Sequence, residues 1–188
     1  MPHTDLAQRD GLPDALRVLL EQYPREIWES HHNFDGLTRF WLERHLMFRR
    51  ALAQWQDDTR AYIDKGRDPR QHGQMTARLG GFLINELHGH HHIEDAHYFP
   101  VLSASEERLA HGFELLDADH HALDRELADL TEAANTHLRS LQDRNADTKA
   151  SAGAILSRLE GFETFLNRHL LDEEELVVPV ILHHALKF

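Results

Sequence analysis

Two stretches of this chain repeat a pattern suited to holding metal. His90-x-x-x-Glu94-Asp95 is followed by Pro100, and His169-x-x-x-Glu173-Glu174 by Pro179, six residues past the glutamate each time and at a constant offset of 79 residues. Residues four apart share one helical face, about 6 Å apart along the axis, so each pair can aim an imidazole and a carboxylate at one spot. Neutral imidazole is the commonest metal ligand, and a carboxylate, unlike an imidazole, can bridge two ions. Two more histidines stand alone on apolar seams, His45 in His45-x-x-Phe48 and His120 in His120-x-x-Leu123, at an offset of 75 residues. A solitary seam histidine is ordinarily a hydrogen-bonded core residue, and a solitary His/Glu pair is ordinarily a surface contact. The doubled pair on an apolar face points instead to six inward metal ligands: His45, His90, Glu94, His120, His169 and Glu173. Two glutamates in a greasy interior would be costly without a cation. A nitrogen and oxygen donor set suits iron, manganese or zinc, and spacing alone does not choose among them.

Four long helices must position these groups. Apolar residues recur at helical spacing through Phe34, Leu37, Trp41, Phe48, Leu52 and Trp55, which predicts a helix over about 35–63, closed by Gly66, Asp68 and Pro69. Met75, Leu79, Phe82, Leu83 and Leu87 predict a second over about 74–98, with Pro100 marking its end or a kink. Leu109, Phe113, Leu116, His120, Leu123, Leu127 and Leu130 predict a third over about 105–141. Ile155, Leu159, Phe162, Leu166, His169, Leu170, Glu173, Leu176 and Val177 predict a fourth over about 149–178, ahead of Pro179. Strand and hairpin signals are nearly absent. Short connections between long helices force antiparallel neighbours, so the expected fold is an all-α, antiparallel up-down-up-down four-helix bundle over 34–184. Residues 1–33 read as a short N-terminal helical extension packed on it, with Leu16, Leu19, Leu20 and Tyr23 forming an amphipathic helix before Pro24, and 185–188 as a tail.

In these residues the chain resembles the hemerythrin-like, or HHE cation-binding, family. The resemblance spans about residues 35–182. It is carried by His45, by His90-x-x-x-Glu94-Asp95-x-x-x-Phe99-Pro100, by Asp119-His120-x-x-Leu123, and by His169-x-x-x-Glu173-Glu174 with Pro179. It implies that His45, His90, His120 and His169 are terminal iron ligands and that Glu94 and Glu173 are bridging carboxylates. It also implies a cofactor of two iron ions, oxo- or hydroxo-bridged, with zinc or manganese as substitutes. One departure stands out: oxygen-carrying members place another histidine four residues before the position of His120, where this chain has Leu116. Glu86, or His121 with Asp117, would have to fill that place, or one iron keeps an extra open position. The departure argues against simple oxygen carriage and for oxygen, peroxide or nitric oxide chemistry, or iron sensing.

The remaining histidines, of 17 in all, read as peripheral. His88, His91 and His92 project from other faces of their helix, although His91 with Asp95 repeats the pair spacing one step on. His97 stands one turn past Glu94, where it could support a ligand. His31, His32, His72, His111, His137, His183 and His184 read as surface or terminal residues, Trp41 and Trp55 as core, and Tyr98 as a packing residue.

Composition narrows the function classes. The 188 residues contain no cysteine, which removes disulfides, thiolate nucleophiles and iron–sulfur clusters. A formal net charge of -12 argues against a nucleic-acid partner. No run nears the ~20 apolar residues of a membrane span, and the N-terminus lacks the order of a secretory signal, so a cytoplasmic protein is expected, as monomer or homodimer. No nucleotide loop or nucleophile elbow names an organic substrate. The expected function is binding of dioxygen, peroxide or nitric oxide in small-molecule handling or stress response. An iron- or redox-sensing module, or a di-iron peroxidase or oxidase, is the alternative.

Overall fold

The structure is a computed structural model that describes residues 5–188; the reading of the extreme N-terminus rests in part on residues 1–4, outside that range. The described residues are helical, with no strand among them. Five α-helices occur: α1 (Gly36–Lys65), α2 (Pro69–Ile93), α3 (Phe99–Ser105), α4 (Ala110–Ser140) and α5 (Thr148–His184). A π turn, Glu94–Tyr98, joins α2 to α3, and 3-10 turns occupy Leu6–Gln8, Asp14–Leu16, Arg25–Ser30 and Glu107–Leu109. The four long expected helices correspond to α1, α2, α4 and α5. No helix among the described residues is long and apolar enough to cross a membrane.

Side-chain caps set several helix starts. Asp35 accepts from the Thr38 backbone N–H at 2.9 Å, Asp68 from Gln71 at 2.9 Å and Asp147 from Ala150 at 3.0 Å. Gly66, at φ 65, makes the turn between α1 and α2. The two repeated prolines behave differently. Pro100 has no N–H and its ring would strike the carbonyl four residues back; the helix widens ahead of it, and the Phe99 N–H donates to the Glu94 carbonyl. Pro179, expected to follow the end of the last helix, lies inside α5, which runs on to His184. An interior proline costs about 3 kcal/mol. Burial of Val178, Val180, Ile181 and Leu182 outweighs it, at roughly 1.5–3 kcal/mol per large side chain.

The chain divides into two compact units. One comprises Met1–Leu46, His90–Ala122 and Phe165–Phe188. Its core gathers Trp41, Phe99, Leu102, Phe113, Leu116, Leu176 and Val177 with Leu12, Leu16, Leu19 and Trp28 of the N-terminal segment. The amphipathic helix expected before Pro24 is absent: Asp14–Leu16 winds as a 3-10 turn and hydrogen-bonded turns follow over 18–22, and from these Leu16 and Leu19 are buried. Packing against the core, rather than helix propensity, decides that segment.

The other unit comprises Met47–Gly89 and Leu123–Thr164. Phe48, Leu52, Trp55, Leu83, Leu87, Leu123, Leu127, Ile155, Leu159 and Phe162 are buried in it. Phe82, expected on the seam of α2, is 38% exposed, while Thr76 and His72 are buried in its place. His72 and His137, expected at the surface, are fully enclosed. Their Nε2 atoms lie 2.9 Å apart; Asp58 accepts from His72 Nδ1 at 2.5 Å and Ser151 meets His137 Nδ1 at 2.7 Å. Tyr62 stacks on His72 at 4.4 Å. The Ser151 hydroxyl donates to the Thr148 carbonyl at 3.0 Å, which ties this network to the start of α5.

Burial, and then His72, pull His137 down to about 4 from 6.5. The unfolded chain therefore takes up a proton that the folded chain refuses, and stability falls as pH drops from about 6.5 to about 4. A His137→Gln variant is expected to flatten that part of the stability profile relative to wild type, as read by urea unfolding at stepped pH. Two neighbouring glycines give a second test. A Cβ at Gly80 would lie 2.7 Å from the Trp55 ring, whereas one at Gly81 meets nothing within 4 Å. Gly81→Ala should stabilise by up to about 1 kcal/mol through helix propensity. Gly80→Ala should destabilise, because overpacking against a rigid ring costs about 1–3 kcal/mol. Denaturant midpoints of opposite sign check both.

Candidate metal centre

Five histidines and two glutamates converge in the first unit. His45 comes from α1, His90 and His91 from α2, Glu94 from the first position of the π turn, His120 from α4, and His169 and Glu173 from α5. All seven are buried. Their ligating atoms form two groups, His45, His90, Glu94 and Glu173 in one, and His91, His120 and His169 in the other, each within 4.8 Å of one another.

The carboxylates stand between the groups. Glu94 presents Oε1 to His90 Nε2 at 3.0 Å and Oε2 to His120 Nε2 at 3.8 Å. Glu173 Oε2 lies 3.6 Å from His45 Nε2 and 3.4 Å from His169 Nε2. Each carboxylate thus faces one imidazole of either group. Three imidazoles are backed at Nδ1 by a further carboxylate: His45 by Glu174 at 3.0 Å, His120 by Asp95 at 2.8 Å and His169 by Asp119 at 3.5 Å. Such a partner fixes the tautomer with Nε2 as the free donor atom. Trp41 Nε1 donates to Glu94 Oε1 at 2.7 Å.

Electrostatics at this spot are unbalanced in the protein alone. Burial disfavours the charged form of His45, His91 and His169 and moves each below its ordinary range. Burial, and then the facing Glu94, push Glu173 well above the usual carboxylate range. Burial acts upward most strongly on Glu94, but His90, Glu173 and His45 together outweigh it and hold Glu94 below the usual carboxylate range. Both nitrogens of His91, Nε2 of His120 and of His169, Oε2 of Glu94 and both oxygens of Glu173 are buried without a hydrogen-bond partner. Buried polar atoms are rarely left so. That so many converge on one spot, all of them metal-ligating types, fits a pair of cations.

All six sequence-expected ligands are brought together here, and a seventh joins them. His91, read as projecting from another face, stacks on His120 with ring centroids 4.1 Å apart and meets His169 edge-on at 5.4 Å. Its signal was present: it stands three residues before Glu94, as His90 stands four, so both share that face. The repeat breaks at this position, because the counterpart of His91 one offset later is Leu170. The candidates for the place left by Leu116 do not reach the centre. His121 is 69% exposed and Asp117 53%, beside each other at the surface, and half-buried Glu86 belongs to neither group. His97 is exposed, as are His88 and His92. Trp41 is a core residue as expected, but its hydrogen bond to Glu94 carries no sequence signal. A third cluster, Glu106 with His183 and His184, is partly exposed, and Arg108 already grips Glu106 at 2.6 and 2.7 Å and holds it down to about 2.

The family model described as the hemerythrin HHE cation binding domain matches residues 36–181. No curated protein and no solved structure matches the chain.

Removing one donor tests the local electrostatics without metal. Trp41→Phe keeps the ring but deletes the N–H on an ionised, buried carboxylate, which should cost about 1.5–3 kcal/mol of unfolding free energy in chelator-treated protein. Equal denaturant midpoints for the two proteins would contradict it.

Proposed function

Since the chain belongs to the hemerythrin HHE cation-binding family, we propose that it is a four-helix-bundle di-iron protein that binds dioxygen, peroxide or nitric oxide. The observation that carries this reading is the placement of Glu94 and Glu173, each between an imidazole of the two histidine groups. In this reading His45 and His90 would hold one ion and His91, His120 and His169 the other, with Glu94 and Glu173 shared between them. An iron pair, when bound, supplies redox-active coordination positions for a small ligand.

The protein's own residues do the rest. Glu174, Asp95 and Asp119 keep Nε2 of their histidines aimed inward. Trp41 orients Glu94 through its N–H. Leu116, Leu170 and Leu176, all fully buried, exclude water around the ligands. The donor set is unequal, three imidazoles against two, and His91 on α2 would offer the fifth imidazole that the Leu116 position on α4 lacks. The group of His45 and His90 would therefore offer fewer imidazoles to its ion than the group of His91, His120 and His169.

Metal content and an optical spectrum, on protein purified without a histidine tag, test the proposal. Two irons per chain are expected, with absorption that changes on adding dioxygen, azide or nitric oxide. His91→Ala should lower the content toward one iron per chain, and Glu94→Ala or Glu173→Ala should abolish the coupled spectrum. One zinc per chain with no bound iron would sink the reading.

A further inference from the structure

We infer that the N-terminal segment is an electrostatic brace of the metal centre, with Arg9 the positioning residue for the three-histidine group; this rests on the di-iron reading above. Arg9 lies outside the matched residues 36–181, yet its side chain is only 2% exposed. Its guanidinium pairs with Asp119 on α4, donating to Oδ1 at 3.3 Å and closely to Oδ2, and its Nε donates to Asp172 Oδ2 on α5 at 2.9 Å. Asp119 is the carboxylate behind His169 Nδ1. Arg168 of α5 secures the same stretch, donating to the Asp10 carbonyl at 2.8 Å and pairing with Asp172. The chain of contacts therefore runs from the N-terminal segment through Asp119 to a metal-facing imidazole.

A second chain of the same form serves the other group. Arg25 meets Glu174 Oε2 at 2.8 Å, and Glu174 Oε1 meets His45 Nδ1 at 3.0 Å. Arg25 rests over the Trp28 ring at 4.5 Å. Its side chain is 45% exposed, so water screens this link more than the first.

The physical role follows from charge and shape. Asp119 and Asp172 are two buried carboxylates on different helices, and a planar guanidinium fork can span both where an ammonium cannot. With Arg9 in place, Asp119 is held toward His169 and the imidazole offers Nε2 to the cation. Without it, the two buried carboxylates repel, Asp119 turns away, and His169 loses its orienting partner. Loss of such an outer partner typically weakens metal binding about 10–100-fold. The effect is selective, because His45 and His90 are not in this chain of contacts.

Anaerobic ferrous titration of the full chain, with circular dichroism and the spectrum of the aerated product, tests the inference. Wild type should take two irons. In Arg9→Ala one of the two irons should bind about 10–100-fold more weakly with the other unchanged, and the signature of the coupled pair should fade at equal helicity. Arg9→Lys should recover part of the loss, since it can hold one aspartate at a time. Arg25→Ala should show a smaller loss, on the other iron. If Arg9→Ala fails to fold, the same selective weakening in Arg9→Lys decides the matter. Wild-type affinities and spectrum in a folded Arg9 variant, or equal weakening of both irons, would overturn the inference. Fewer than two irons in wild type would instead overturn the di-iron reading on which it rests.

Discussion

Two carboxylates enclosed among five imidazoles form the constraint to which the rest of the site answers. Glu94 and Glu173 sit where water cannot solvate them, and burial disfavours the charged form of His45, His91 and His169 beside them. In the protein alone, burial and the facing Glu94 push Glu173 well above the usual carboxylate range. Cations relieve this, because they satisfy the orphaned nitrogens and oxygens together. Around that requirement lies a ring of acids, Glu174, Asp95 and Asp119, and outside two of these an arginine from the N-terminal segment. The two arginines thus bring positive charge to the acids that back His169 and His45.

What could be read in the sequence was what helical periodicity encodes. The seams of α4 and α5 are buried residue by residue as their spacing demands, and His120, His169 and Glu173 on those faces converge with His45, His90 and Glu94. His91 escaped because attention to an i,i+4 pair hides an i,i+3 partner on the same face. His72 and His137 escaped because a histidine amid polar neighbours looks solvated until another helix covers it. Continuing the α4 seam past Leu130 by four and then three residues leads to Ala134 and His137, both buried, so that signal was available. Arg9 could not have been found: its partners lie 110 and 163 residues away, and nothing local marks it. Pro179 misled because a proline rule describes local backbone cost, whereas the helix end is set by how much apolar surface lies beyond it.

The near-repetition within the chain explains the unequal halves. Each half supplies one lone histidine and one His/Glu pair, and a faithful copy would give two matching sites. Divergence at one position, His91 against Leu170, converts that symmetry into three imidazoles against two. One leucine in place of a ring leaves α5 with an apolar contact where α2 has a ligand. Chemical inequality between the two histidine groups here needs no new element, only one substitution in a duplicated pattern.

The π turn at Glu94–Tyr98 carries a consequence for how the chain can vary. An ordinary helix advances about 100° per residue, so the widened turn sets the phase of everything after it. Phe99 lies parallel to the His120 ring at 5.4 Å, and Leu102 is buried with it. Ala96 and His97 are exposed and can change identity freely, yet the count of residues between Glu94 and Phe99 cannot. Losing one would swing the phenyl ring off His120 while the carboxylate stayed behind. At Ala96 and His97 the chain tolerates spelling changes, but over the whole turn it does not tolerate a change in length.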